Sequence, residues 1–223
     1  MIITKANPFS VEWDPASTAL ICIDFQRDFM EPGGFGETLG NNVSPLRETI
    51  EPTKRVLDRA REMGLLIIHT REGHRPDLKD LFPAKRDRGN PSLRIGDQGP
   101  MGRILVRGEK GHDIIPELYP ADGEVILDKP GKDSFYGTDL DVMLRAQGIK
   151  TLIITGVTTE VCVQSTARAA NDRGYECIIL SDCTSSYFPE FKKSALEQFS
   201  AQGAIIGWVC DSTTLIESID KAK

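Results

Sequence analysis

The sequence lacks what a membrane, secreted or nucleic-acid-binding chain would show. No apolar run approaches the ~18 residues that a membrane span needs. Residues 1–15 have no charged-then-apolar-then-small pattern, so no secretory leader is read there and a cytoplasmic location is expected. Lys and Arg number 27 against 33 Asp and Glu, a formal charge of -6. Phosphate recognition needs a basic face, so neither nucleic acid nor an anionic membrane is an expected partner. The five cysteines form no Cys-x-x-Cys pair and no zinc-ribbon spacing. Reduced thiols are the simplest reading of that odd number. No Gly-x-Gly-x-x-Gly follows the first apolar run and no phosphate-loop signature occurs, which leaves a nucleotide-binding module without an anchor.

What is present is ordinary globular material, 39% hydrophobic and 27% charged over 223 residues, enough to bury a full core. Apolar bursts at 19–24, 65–70, 124–129, 151–156, 176–182 and 204–209 read as strands. Between them, helical spacing appears at 51–63, 138–148, 159–174 and 190–203, with glycine as a frequent stop. Thr159 is placed to cap the third of these helices. Such alternation predicts one doubly wound α/β domain over 1–223, a mostly parallel sheet of about six strands covered on both faces. Residues 71–123, rich in Gly, Pro, Arg and Asp, read as a long excursion over the carboxyl ends of the strands, where such sheets place ligands.

Three strand ends carry reactive side chains: Asp24, Lys129 and Cys162. Parallel strands share one carboxyl edge, so an acid, a cation and a thiol distant in sequence can converge there as a nucleophilic site. Singly each is weak, because a strand-end Asp is usually a turn residue and a Cys usually a small hydrophobe. Cys22, Cys177 and Cys210 fit that second role, and Cys183 joins them as a structural thiol. Cys162 differs by falling in the first turn of a helix, where the dipole favours an anion. A free thiol is only about 3% ionised at neutral pH. Lys129 is therefore expected to lower its pKa, against Glu160 in the same turn.

IDFQRDF around Asp24, LDKPGKDSF around Lys129 and GVTTEVCV around Cys162 together resemble the isochorismatase-like cysteine hydrolases, in that family's order and over nearly the whole chain. HTREGHRPDL (69–78), GRILVRGE (102–109), IIPELYP (114–120) and ANDRGYEC (170–177) are closer still to the biuret and triuret amidohydrolases within it. The resemblance implies Cys162 as nucleophile, Asp24 as general base and Lys129 as the cation that holds and orients both. It also implies a cis peptide between Val157 and Thr158, with the backbone N–H groups of Thr158 and Cys162 forming an oxyanion hole. Dimers or tetramers of like chains are implied too, and no cofactor.

The expected substrate is a small neutral ureide, cleaved at a terminal C–N bond with release of ammonia. Gln202 matches a position that holds the substrate's amide edge in biuret-type enzymes, and its amide offers both donor and acceptor. Phe29 and Phe35 are candidate walls, Phe29 the preferred one, and Tyr187 a candidate lid or distal contact. The SSYF stretch around Tyr187 departs from a biuret enzyme and favours the longer triuret. Biuret, ureidoacrylate and other amides of the family stand as alternatives, whereas a true isochorismatase needs no cysteine nucleophile. Nicotinamidases of the family carry Asp-x-His and a further His as metal ligands. Here Glu72 and His74 stand in that loop with only His112 beyond, so no metal is expected. Glu72 is instead expected to pair with Arg71 or Arg75 and shape the pocket. The basic run 81–94 reads as a solvated or subunit-contact loop.

Overall fold

The computed structural model describes residues 1–89 and 93–221. Six strands build the central sheet: β1 Thr18–Ile23, β2 Leu66–Glu72, β3 Val125–Lys129, β4 Thr151–Val157, β5 Glu176–Ser185 and β6 Trp208–Cys210. All neighbouring pairs are parallel and the spatial order is β6-β5-β4-β1-β2-β3. The chain winds outward from β1 through β2 to β3, then returns to the other side of β1 for β4. That reversal leaves a switch point between β1 and β4, where open α/β sheets form their ligand crevice.

Alternation along each strand sorts the core into two layers. Leu20, Cys22, Ile67, Ile153, Ile178 and Leu180 pack on one face under α1 (Ile50–Glu62) and α5 (Ser212–Asp220). Ile21, Ile23, Ile68, Ile154, Cys177 and Ile179 pack on the other with α2 (Leu140–Ala146), α3 (Gln164–Asp172) and α4 (Pro189–Ala204). The excursion between β2 and β3 does cross the carboxyl edge: the backbone N–H groups of Arg27 and Asp28 donate to the carbonyls of Asp113 and Gly111.

The elements depart from the sequence reading in three places. The last strand starts at Trp208 and not near 204, because the backbone turns left-handed at Gln202 (φ 52), Gly203 (φ 79) and Ala204 (φ 63). Thr159 is not a cap; it opens a π-helical turn, Thr159–Val163, and its hydroxyl pairs with Thr184 Oγ1 at 2.8 Å. Helix α5 was not anticipated, although Asp211 caps it by accepting from the Thr214 N–H at 2.7 Å.

Candidate active site

Strand β1 ends in Ile23 and the next residue, Asp24, turns left-handed with φ 54. Its carboxylate is fully buried, with the Thr70 hydroxyl donating to Oδ1 at 2.7 Å and Lys129 Nζ standing 2.7 Å from Oδ2. Lys129 is equally buried and also donates to the carbonyls of Gly131 (2.9 Å) and Lys132 (3.1 Å), the turn that follows β3. Burial works against its charge, but Asp24, with Cys162 and Glu72 further off, holds its pKa above the ordinary lysine value.

Gly156, φ 130, brings β4 against β1: a Cβ there would meet the Ile23 carbonyl oxygen at 2.2 Å, so only glycine fits. The next peptide bond, Val157–Thr158, is cis, as the resemblance implies. The π-helical turn beyond it delivers Cys162 to the crevice. Ligand atoms of Asp24, Glu72 and Cys162 lie within 4.8 Å of one another. The thiol donates to Glu72 Oε2 at 3.6 Å. Burial pushes its pKa well above the usual thiol range, with Lys129 and Lys132 pulling the other way. The lowering expected from Lys129 and the helix N-terminus runs the other way, because removal from water outweighs the nearby ammonium groups.

Glu72 is the residue whose surroundings the sequence misjudged. In a strand, adjacent side chains point to opposite faces. Arg71 therefore turns away to Asp128 (2.8 Å) and Asp113 (3.1 Å), and Arg75 pairs with Asp77 at the surface. Glu72 shares the site face with Thr70, and its Oε1 meets Lys132 Nζ at 2.6 Å and Lys85 Nζ at 2.8 Å. Burial alone would raise its pKa, yet Lys132, Lys129 and Lys85 hold it down at about 2. Lys85 comes from the run read as a solvated or subunit-contact loop, whose residues 90–92 lie outside the described residues. Gln26 locks this corner, donating to the carbonyls of Glu72 and His112 and accepting from the Glu72 N–H at 2.7 Å.

A cavity of about 310 Å³ opens over the sulfur, lined among others by Phe29, Glu72, Lys132, Thr158, Cys162 and Tyr187. The Tyr187 hydroxyl is fixed by donating to the Phe29 carbonyl at 2.8 Å. Glu160 also lines the cavity, and its Oε2 is buried without a hydrogen-bond partner among the described residues. Two expected contacts are corrected. Phe35 does not line this cavity, and Leu39 and Phe188 are there instead. Gln202 is exposed at the far end of α4, where the backbone has already left helical geometry, and it does not line this cavity. Lys132 and Lys85 are the polar groups that sequence reasoning did not place at the site, and Glu160, expected beside Cys162 only as an opposing charge, also lines the cavity. The signal for Lys132 lay in Asp-Lys-Pro-Gly-Lys, three residues beyond Lys129.

A metal bridging Glu72 and His74 does not fit these residues. Lys85 Nζ stands 2.8 Å from Glu72 Oε1 and 3.0 Å from His74 Nε2, in the place such an ion would take. Burial pushes the His74 pKa down, and a neutral ring accepting at Nε2 suits an ammonium there.

The Isochorismatase domain family model matches residues 18–213, which spans all six strands. The chain belongs to the isochorismatase family. Among solved structures, this isochorismatase-family hydrolase is similar to a cysteine hydrolase from Pseudomonas syringae pv. phaseolicola, with TM-score 0.80, 28% identity and coverage of 96% of this chain and 98% of that one. It is also similar to N-carbamoylsarcosine amidase from Thermoplasma acidophilum, with TM-score 0.67, 26% identity and coverage of 88% and 96%. A pyrazinamidase/nicotinamidase from Streptococcus mutans matches with TM-score 0.70, 26% identity and coverage of 87% and 100%. The isochorismatase-family chain is thus a hydrolase of the cysteine type with amidases among its structural neighbours. Among the described residues no helix is long and apolar enough to cross a membrane.

Proposed function

We propose that this hydrolase cleaves a terminal C–N bond of a linear ureide, triuret ahead of biuret, releasing ammonia through a Cys162 acyl-enzyme. The observation that carries the reading is a buried thiol beside two carboxylates, one of them ion-paired to Lys129 at 2.7 Å, at the sheet's switch point. Glu72 accepts the resting thiol's hydrogen bond but is a poor base, since a group held at about 2 has little affinity for a proton at neutral pH. Asp24 takes the thiol proton as the sulfur attacks the carbamoyl carbon, and Lys129 balances the charge. The backbone N–H groups of Thr158 and Cys162 face the tetrahedral oxyanion, a contribution of about 3 kcal/mol per donor where such holes are measured. Asp24 then gives its proton to the departing amine. Water next adds to the thioester.

A ureide also suits the lining. Its N–H groups need acceptors, which Glu160 Oε2 and Glu72 supply, and its carbonyls need a donor, which Lys132 supplies. Phe29 offers a wall for a planar molecule. The named neighbour that acts on an N-carbamoyl compound supports a carbamoyl group as the target. The test is ammonia release from urea, biuret, triuret, ureidoacrylate and nicotinamide, with and without a chelator. Triuret is expected to be the best substrate, chelation to leave the rate unchanged, and Cys162→Ser to lower it roughly a thousandfold or more. Cleavage of nicotinamide but no ureide would overturn the substrate, and turnover by Cys162→Ser would overturn the nucleophile.

A further inference from the structure

A second cavity, of about 410 Å³, shares Lys132 with the catalytic one. The two are opposite in charge. Glu72 and Glu160 line the catalytic cavity, whereas the second is lined by Lys85, Arg88 and Lys132 and, among the described residues, by no carboxylate. In a chain of formal charge -6 that is a local reversal. Phe82 and Tyr136 stand exposed at its rim, 60% and 51%, as flat apolar surfaces beside the cations. Gly131 makes room for the tyrosine, because a Cβ there would come within 2.8 Å of Tyr136 Cδ1.

Charge counting in the shared wall says what such a cavity lacks. Among the described residues Lys129, Lys132 and Lys85 form ion pairs with two carboxylates, Asp24 and Glu72, and both Lys132 and Lys85 lean on the same oxygen of Glu72. Whenever the sulfur is neutral, as thiol or as thioester, one positive charge is left over. A half-buried surplus cation is costly unless an anion meets it. Hydrolysis of the acyl-enzyme makes such an anion. R–NH–CO–S–Cys162 and water give R–NH–COO⁻, the Cys162 thiol and one proton released to solvent. The C–S bond breaks and the carboxylate keeps the water oxygen.

We propose that this second cavity is a binding site for a small planar carboxylate, the acid product of the reaction, handed across by Lys132. The product role rests on the ureide reading above; the anion site itself does not. The probe is oxamate, a stable planar carboxylate, with neutral oxamide as its control, titrated calorimetrically into the whole protein before and after iodoacetamide has capped Cys162. Oxamate is expected to bind both forms alike and oxamide neither. Arg88→Ala is expected to weaken oxamate about tenfold or more, the size of one charge-assisted hydrogen bond, and Phe82→Ala by a smaller factor. Circular dichroism of both exposed-site variants checks that the fold is kept. Absence of oxamate binding, its loss on capping Cys162, equal binding of oxamide, or indifference to Arg88→Ala each overturns the site. If oxamate binds as expected while no ureide is cleaved, the anion site stands and its role as product site falls.

Discussion

Lys129 and Lys132 are three residues apart, and each holds a buried carboxylate in a different setting. The Asp24–Lys129 pair is closed on all sides, with both side chains at 0% exposure, and its spare hydrogen bonds go to Thr70 and to two backbone carbonyls. The Glu72 group is half open: the carboxylate is buried, but Lys132 is 45% exposed and Lys85 21%. The first pair is a fixed charge pattern completed at folding. The second stands between two cavities, and water reaches both of its cations.

The largest effect should come from breaking the closed pair. Lys129→Met leaves Asp24 buried without its cation, which costs about 3–5 kcal/mol in denaturant unfolding and abolishes ammonia release. Lys132→Met, by contrast, should cost about 2 kcal/mol, because its side chain is 45% exposed and Lys85 still meets the same Glu72 oxygen. Equal losses in the two variants would erase the distinction drawn above. Next in size is the acid limb of stability. Glu72 titrates at about 2 in the fold and near 4.5 when exposed. Its contribution is complete above pH 4.5 and disappears as the pH falls towards 2, because only the unfolded chain takes up that proton. Glu72→Gln should therefore flatten the fall of unfolding free energy across that window while leaving the rest of the curve parallel. The smallest effect is expected from Tyr187→Phe, which removes the hydroxyl's bond to the Phe29 carbonyl. It should cost about 1 kcal/mol and raise KM a few-fold with little change in kcat, read from unfolding and steady-state assays.

The sheet and its three reactive ends were legible because both rest on local patterns. Continuous apolar runs such as Ala19–Ile23 mark strands buried on both faces. Parallel connection then brings Asp24, Lys129 and the Cys162 turn to one edge with no further information. The groups around Glu72 were not legible in the same way. Lys85 reaches the site from a polar stretch whose composition matches a solvated loop, and its destination is decided by a buried carboxylate 13 positions earlier in the chain. The partner assigned to Glu72 was wrong for a reason the sequence did contain, since strand alternation sends Arg71 to the opposite face. Gln202 failed on geometry. It stands exposed where the backbone of α4 has already left helical geometry.

The closed pair spans three strands, since Asp24 follows β1, Lys129 ends β3, and β2 runs between them with Glu72 in register against Lys129. A slip of β3 by one residue would swing the lysine to the opposite side of the sheet. Recovery of ammonia release during refolding would then time the correct alignment of three strands, and a collapsed chain with the wrong alignment would stay silent however compact it became.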